Sequence, residues 1–288
     1  ANFLNSKYAI AVSNGTSALD IAYKALNIRD GDEVILPALS YFSTASMISY
    51  QNAIPVFVDI KKTDFNIDPK KIEKAITKKT KAISYIDYGG NPADFKEIKK
   101  IAKKYNLKIV KDSAQSIGSM YKNKNLMTEG DISTTSFHMA KIITTVEGGM
   151  IFTNNKNIFN QAYIRRSHGE KKAGSYIHNV LAQNARMTDI QASIGLVQFK
   201  KLARYLKSRK EIAKTYDNYL KKNSKIKILG RRKNFTNSYF FYPILVNNRD
   251  KIVKILKEKY GVDTRVAYKF PLYRQKLYKN SLERFKKF

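Results

Sequence analysis

The sequence contains no cysteine, and only three of its 288 residues are histidine. Without cysteine, the protein has no disulfide bonds, no thiolate nucleophile and no cysteine-ligated zinc. We therefore predict that it holds no metal ion. The absence of cysteine is also compatible with a reducing compartment, and we expect a cytoplasmic location.

A long apolar run is also lacking. A membrane-spanning helix needs roughly 18 consecutive apolar residues, whereas the longest run here, residues 239–246, has the length of a buried strand. We therefore predict no membrane span, and the N-terminus shows no signal-peptide pattern. The chain begins at Ala1, without methionine, in a segment that is typical of a folded domain. We expect that the natural chain extends further at both ends.

Acidic residues are scarce: 23 Asp and Glu stand against 54 Lys and Arg, which gives a formal net charge of +31. One interpretation is a phosphate-rich partner, such as nucleic acid or a nucleotide-linked substrate. The other is a lysine-rich solvated surface. The lysines are scattered in pairs such as Lys70 and Lys71, without a run of five like charges. We favour the surface and expect no nucleic-acid partner.

The apolar pattern alternates between short strands and helices through the first two thirds of the chain. This rhythm is typical of an α/β fold with a mostly parallel sheet. From about residue 189 the pattern changes to a long helical stretch (189–220), a strand (239–246), a helix (250–260) and a strand-like segment (263–267). We predict a large domain over residues 1–205 and a small α+β domain over residues 206–288.

Three segments carry candidate chemistry. In the first, residues 13–17, Gly15 lies between a strand and a helix, and the N–H groups of Thr16 and Ser17 open that helix. A helix N-terminus binds phosphate readily. The alternative is an ordinary helix cap by Asn14 or Thr16.

In the second segment, Asp112 follows the apolar strand residues Ile109 and Val110. Ligands bind at the carboxyl ends of strands in open α/β sheets, where a carboxylate can pair with a cationic ring nitrogen. The alternative is again a helix cap.

In the third segment, residues 136–150, Lys141 lies in a mostly neutral run that contains Ser136, a possible phosphate ligand. Burial lowers the pKa of a lysine and makes its amine nucleophilic toward carbonyls. The alternative is that Lys141 is an ordinary surface lysine in a loop.

These segments belong to a longer series of motifs. In chain order they are SNGTSAL (13–19), PALSYFSTA (37–45), PVFVDI (55–60), YGGNPADF (88–95), KDSAQSIGS (111–119), SFHMAKIITTVEGGM (136–150), RRSHGE (165–170) and QNARMTDIQASIG (183–195). Over most of its length the chain thus resembles the DegT/DnrJ/EryC1/StrS family of sugar aminotransferases. Eight blocks in the family's order argue against coincidence.

The resemblance implies an aspartate-aminotransferase-like (type I) fold and pyridoxal 5'-phosphate as cofactor. Lys141 would be the Schiff-base lysine and would move the proton between substrate and cofactor. Asp112 would pair with the pyridine nitrogen and keep it protonated. Gln115 would contact the phenolic oxygen, and Tyr41 would stack on the ring.

The resemblance also implies how the cofactor phosphate is held. Thr16, Ser17 and Ser136 would bind it within one subunit. Asn184 would reach the phosphate of the other subunit in a homodimer with shared active sites. Val146 departs from the family pattern, which often has glycine at this position, so the loop around it is expected to differ slightly.

The implied reaction moves an amino group, with glutamate as the expected donor, to a keto carbon of a nucleotide-linked deoxysugar. The segment 144–150 resembles members that act at C4 more than those that act at C3. Related dehydratases have histidine in place of the lysine, so Lys141 favours transamination. Two alternatives stay open: a non-catalytic or regulatory relative, and a basic nucleic-acid-binding protein, although the sequence has no recognisable binding motif.

Overall fold

The computed structural model of the protein describes residues 1–172, 174–279 and 286–287. Its strands are β1 (Tyr8–Val12), β2 (Glu33–Pro37), β3 (Ile54–Val58), β4 (Thr80–Ile86), β5 (Lys108–Asp112), β6 (Met120–Tyr121), β7 (Lys124–Asn125), β8 (Ile132–Ser136), β9 (Gly149–Thr153), β10 (Ile226–Ile228), β11 (Phe235–Thr236), β12 (Ile244–Val246) and β13 (Lys286–Lys287). Its α-helices are α1 (Gly15–Ala25), α2 (Phe42–Ser49), α3 (Pro69–Ala75), α4 (Phe95–Lys104), α5 (Lys156–Arg166), α6 (Asp189–Lys200), α7 (Leu202–Leu220), α8 (Arg249–Tyr260) and α9 (Lys276–Lys279). Short 3-10 helices span Asn2–Leu4, Tyr88–Gly90 and Leu272–Arg274.

Within the described ranges, the central sheet has eight strands in the order β1-β9-β8-β5-β4-β2-β3-β13. The strands from β8 to β13 pair in parallel, whereas β9 is antiparallel to both β8 and β1. The predicted α/β fold with a mostly parallel sheet is therefore confirmed. Such a sheet is buried on both faces, which is why β2 is an uninterrupted buried run.

Helices cover both faces of this sheet. On one face α1, α2 and α5 contribute to a cluster that includes Ile21, Ile48 and Ala162, and on the other α3 and α4 contribute to a second cluster. Helix α4 shows how the sequence specifies this arrangement. Its buried residues are Ile98, Ile101 and Ala102, three and four positions apart, whereas its lysines lie on other faces.

One edge of the sheet brings together the segments that the sequence singles out. Asp112 ends β5 and pairs with Thr134 of β8. Two residues later Ser136 ends β8 opposite Gly149, which also pairs with Val12 at the end of β1. Because β1, β5 and β8 point the same way, their carboxyl ends meet at this edge.

The C-terminal part differs from the sequence prediction in two strands. Only residues 244–246 of the expected strand 239–246 pair in a sheet, as β12 with β10. The preceding residues pack on the loop that contains Gly89 and on α7 instead. The N–H of Phe240 donates to the carbonyl of Gly89, and Arg209 of α7 donates to the carbonyl of Tyr239. The expected strand 263–267 is wrong as well, since these residues lie in no strand.

The predicted helical stretch 189–220 consists of two helices that separate at Lys201. The predicted domain boundary near residue 205 falls in the first turn of α7 and stays a prediction. Among the residues that the structure describes, no helix has both the length and the apolar character to cross a membrane. The same residues include no group of three or more acidic or histidine side chains suited to a metal ion.

Candidate active site

The N-terminus of α1 forms one wall of the site. Asn14 caps the helix, since its Oδ1 accepts from the N–H of Ser17 at 2.8 Å. The other first-turn N–H groups of a helix have no partner within the helix and favour an anion. Gly15 is required here, because a Cβ at this position would lie 2.8 Å from Cβ of Ser136. The cap by Asn14 and the candidate phosphate ligands therefore lie at the same end of α1, so that the two interpretations do not exclude each other.

Hydroxyl groups surround this helix end. The Thr16 hydroxyl is 2.8 Å from that of Ser43 in α2, and the Ser17 hydroxyl accepts from Ser13 at 3.2 Å. The structure therefore places Thr16, Ser17 and Ser136 around one helix N-terminus, as a phosphate site requires. Ser43 was not among the residues that the sequence prediction included.

Asp112 is buried, with 6% of its surface exposed. Its Oδ1 accepts from the N–H of Ala114 and its Oδ2 from the hydroxyl of Thr44, each at 3.0 Å. Among the described residues, no cationic group lies within 4.0 Å of this carboxylate. Burial raises the pKa of Asp112, because a carboxylate loses its hydration there. A cationic ligand at this carboxylate would offset that cost.

Lys141 lies in a closed loop after β8. The loop is held by hydrogen bonds from Phe137 N–H to the carbonyl of Gly148 at 2.7 Å and from Thr145 N–H to the carbonyl of Phe137 at 2.9 Å. Lys141 Nζ lies 4.8 Å from the ring centroid of Phe240. Burial lowers the pKa of Lys141, against an opposing effect of the negative charge of Asp112. The amine is thus partly desolvated and electrostatically coupled to Asp112.

Gln115 is buried between two partners. Its Oε1 accepts from the N–H of Gly89 at 2.7 Å, and its Nε2 donates to the hydroxyl of Tyr268 at 2.7 Å. Burial raises the pKa of Tyr268, and the charge of Asp112 raises it further. Tyr41, which precedes α2, is 62% exposed and also influences Tyr268 electrostatically.

Asn184 lies in an exposed loop beside the phosphate site. The N–H of Ser13 donates to the carbonyl of Ala185 at 2.8 Å, and Arg186 pairs with Val12. The side chain of Asn184 accepts from the N–H of Arg186 at 3.4 Å. Its predicted contact with a second subunit stays a prediction.

A cavity of about 560 Å³ opens beside Lys141. Its wall includes Tyr205, Arg209 and Tyr216 of α7 together with Tyr242. Arg209 donates to the carbonyls of Tyr239 (2.9 Å) and Phe240 (3.2 Å), and so supports the ring that contacts Lys141. The cavity leaves room for a substrate next to the amine.

The sequence prediction missed several residues that line this site: Ser43, Thr44, Arg209, Phe240 and Tyr268. Thr44 carried a usable signal, since it follows Tyr41 by about one helical turn in the motif PALSYFSTA. Tyr268 carried none, because it lies 153 positions from Gln115 and outside every motif.

The assembled side chains fit pyridoxal phosphate. The helix N-terminus and its hydroxyl groups suit the phosphate, and the buried Asp112 suits a protonated pyridine nitrogen. The amine of Lys141, with its lowered pKa, suits a carbonyl carbon. Gln115 retains a second N–H, beyond the one bound by Tyr268, for a further acceptor.

Comparisons with known proteins point the same way. The UDP-4-amino-4,6-dideoxy-N-acetyl-beta-L-altrosamine transaminase of Campylobacter jejuni is 35% identical, covering 97% of this chain and 76% of the relative. The UDP-2-acetamido-2-deoxy-3-oxo-D-glucuronate aminotransferase of Pseudomonas aeruginosa is 36% identical, covering 96% and 76%. A Streptococcus pneumoniae protein solved in a PLP form superimposes with a TM-score of 0.89 at 31% identity, covering 97% of this chain and 77% of that one.

A family model also matches almost the whole chain, from residue 1 to residue 287. This match, the fold and the identities with relatives agree with the resemblance that the eight sequence blocks carry. The chain belongs to the DegT/DnrJ/EryC1/StrS aminotransferase family.

Proposed function

We propose that the protein transfers an amino group from glutamate to carbon C4 of a nucleotide-linked keto-deoxysugar. Its family makes it an aminotransferase, and its cofactor is pyridoxal 5'-phosphate. The observation that carries the proposal is the coupled pair at the sheet edge. Asp112 is a buried carboxylate that Thr44 and Ala114 hold in place, and burial raises its pKa. Lys141 lies beside the 560 Å³ cavity with its Nζ 4.8 Å from the ring centroid of Phe240, and burial lowers its pKa.

Each side chain then has a proposed task. When bound, the cofactor supplies an electron sink that stabilises negative charge on the substrate carbon. Asp112 holds a proton on the ring nitrogen, and its hydrogen bond from Thr44 fixes the carboxylate for this task. Lys141 would hold the cofactor through its amine and would move a proton at the substrate carbon.

The remaining residues hold and orient the cofactor. Thr16, Ser17 and Ser136 bind the phosphate at the start of α1. Gln115 would donate its remaining N–H to an oxygen of the cofactor. Tyr41 would contact the cofactor ring, and its exposure leaves a face for this contact.

The choice of C4 rests on the resemblance of residues 144–150 to family members that act at this carbon. The relatives include a transaminase named for a 4-amino sugar and an aminotransferase named for a 3-oxo sugar, at similar identity. Overall similarity therefore does not discriminate between C3 and C4, and the position needs a direct test.

We further propose a homodimer with shared active sites. Helix α6 has no buried residue, and it exposes Ile190 (76%), Leu196 (68%) and Val197 (52%) to solvent. An exposed apolar helix face of this kind marks a protein interface. It follows directly after the loop of Asn184, so that a second copy on this face would bring Asn184 near the other phosphate site. We propose no nucleic-acid partner, and a cytoplasmic location stays a prediction.

The test combines spectroscopy with product analysis. The purified protein should bind pyridoxal phosphate with a visible absorption band that borohydride bleaches. With glutamate and a nucleotide-linked 4-keto-deoxysugar it should form 2-oxoglutarate, and NMR should find the amino group on C4. Amination at C3 would overturn the choice of carbon, and the absence of transamination with both kinds of keto sugar would overturn the proposed function.

A further inference from the structure

Lys111 is a buried cation next to Asp112 that the proposed mechanism does not use. Adjacent residues of a strand point to opposite faces of the sheet, so Lys111 and Asp112 face different layers. Lys111 is 0% exposed, and its Nζ lies 2.8 Å from each of three oxygens, in Asp87, Glu129 and the carbonyl of Leu126. Nζ donates hydrogen bonds to Leu126 and Glu129, and its contact with Asp87 is an ion pair.

The charges in this cluster stabilise each other. Burial lowers the pKa of Lys111, but the carboxylates of Asp87 and Glu129 raise it more, so its pKa lies above its ordinary value. Burial raises the pKa of Glu129, against the effect of Lys111. Asp87 is fully buried, and without Lys111 its carboxylate would be an unpaired charge in the protein interior.

Asp87 begins the loop between β4 and α4, residues 87–94, and closes it. Its Oδ1 accepts from the N–H of Ala93 at 2.9 Å, and its own carbonyl accepts from the N–H of Gly90 at 2.9 Å. The other oxygen of the carboxylate faces Lys111. One side chain therefore ties both ends of the 87–94 loop to the buried ammonium group.

The 87–94 loop in turn contacts two residues of the active site. Gly89 donates its N–H to Gln115 at 2.7 Å, and its carbonyl accepts from the N–H of Phe240 at 3.0 Å. Phe240 is the residue whose ring lies against Lys141. The loop also packs closely on the residues before Phe240, because a Cβ on Gly90 would lie 1.9 Å from the hydroxyl of Ser238.

We propose that Lys111 is a positioning residue: through Asp87 and the 87–94 loop, it orients the Gln115 amide and places Phe240 against Lys141. This inference rests on the proposed function for the roles of Gln115 and Lys141, but the connection through the loop is a property of the chain alone. Glu129 offers a matched control. It contacts Lys111 at the same distance as Asp87 but makes no contact with the loop through its carboxylate.

The first experiment measures hydrogen exchange of residues 87–94 in the cofactor-free protein. We expect Lys111→Met and Asp87→Asn to accelerate exchange of the Gly89 and Gly90 amides by about tenfold or more, the factor of one lost hydrogen bond. Glu129→Gln should leave these amides unchanged, since its amide oxygen still accepts from Lys111. Because Lys111→Met can prevent folding, the comparison of Asp87→Asn with Glu129→Gln is decisive. Equal exchange in these two variants would overturn the inference.

The second experiment measures cofactor affinity and the visible circular dichroism of the saturated proteins. A folded Asp87→Asn protein should bind pyridoxal phosphate about tenfold more weakly, with an altered dichroism band, because Gln115 and Phe240 have moved. Glu129→Gln should match the wild-type protein in both. Unchanged affinity and dichroism in Asp87→Asn would overturn the positioning role alone. A wild-type protein without any visible band would instead contradict the proposed function.

Discussion

The amide of Gln115 is held in one orientation by Tyr268, a residue that lies 153 positions further along the chain, through a 2.7 Å hydrogen bond from Nε2 to the tyrosine hydroxyl. The N–H of Gly89 fixes the opposite end by donating to Oε1. A donor at one end and an acceptor at the other exclude the flipped amide. The remaining N–H of Gln115 therefore has a defined direction.

Tyr268→Phe removes the acceptor and leaves a buried N–H group of Gln115 without its partner. We expect cofactor affinity to fall about tenfold, because the amide keeps only one of the two hydrogen bonds that orient it and a lost partner of a buried donor costs about 1–3 kcal/mol. Titration of the visible band with pyridoxal phosphate measures the effect. Tyr219→Phe, at a tyrosine that is 72% exposed, is the control. Equal affinities for the two variants would show that Tyr268 does not orient Gln115.

Asp112→Asn should reduce turnover on the order of 100-fold, as expected when a preorganised charge is removed. The same variant should change the pH dependence of the cofactor-free protein's stability. A raised carboxyl pKa means that the folded state binds this proton more tightly, so the stabilisation is present below the ordinary pKa and is lost as pH rises through the folded pKa. Urea unfolding across the acidic range should show that Asp112→Asn loses less stability than the wild-type protein as the pH rises. An identical pH profile would mean that Asp112 titrates normally.

Lys141→Ala should abolish turnover but not all cofactor binding, because the phosphate site at α1 stays intact. Borohydride should no longer fix the cofactor to the protein.

In the wild-type protein, the lowered pKa of Lys141 means that its amine is neutral and reactive at lower pH than the amine of free lysine. Asp112→Asn should lower this pKa further, since Asp112 favours the ammonium form, and the pH dependence of covalent attachment tests this. Retained turnover in Lys141→Ala would refute the assignment of the lysine.

Val146 has a backbone φ of +68° and is 56% exposed. This conformation is strained for a β-branched residue, whereas glycine adopts it readily. We expect Val146→Gly to stabilise the protein by about 1 kcal/mol, the strain of the left-handed region less the entropy that glycine adds to the unfolded chain. Val146→Ala, which keeps a Cβ, should gain less in urea unfolding. A destabilised Val146→Gly protein would show that the valine side chain makes a contact worth more than the strain.

The sequence predicted the α/β region better than the C-terminal region, and for a physical reason. A buried strand such as β2 is an apolar run bounded by turns, and its pairing partners follow the βαβ rhythm. The run 239–246 looked the same, but Phe240 bonds to Gly89 and Arg209 rather than to a strand. Local pattern cannot reveal such long-range partners.

The candidate site shows the same division. Asp112 and Lys141 could be singled out because each has an unusual local environment, at a strand end and in a neutral run. Gln115 and Tyr41 entered only through the family resemblance. Tyr268 and the connection from Lys111 to Gln115 depend on contacts between distant segments, which a single sequence does not specify.

Asn184 carries the prediction about assembly. Its loop is bound to Ser13 at the edge of the phosphate site, and it leads into α6 with its exposed apolar residues. If a second copy covers α6, each phosphate gains an uncharged donor from the neighbouring subunit, and symmetry gives two equivalent sites. Cofactor affinity and dimer stability are then linked by mass action.

We therefore expect a homodimer whose melting temperature rises with pyridoxal phosphate concentration. Asn184→Ala should bind the cofactor about tenfold more weakly at both sites, the factor of one lost hydrogen bond. Asn160→Ala, at an exposed asparagine of α5, should behave as the wild-type protein. Light scattering at micromolar concentration, with and without cofactor, measures the assembly. A monomer that holds the cofactor with full affinity would show that the site is complete in one chain, because no second subunit would then be needed to bind the phosphate.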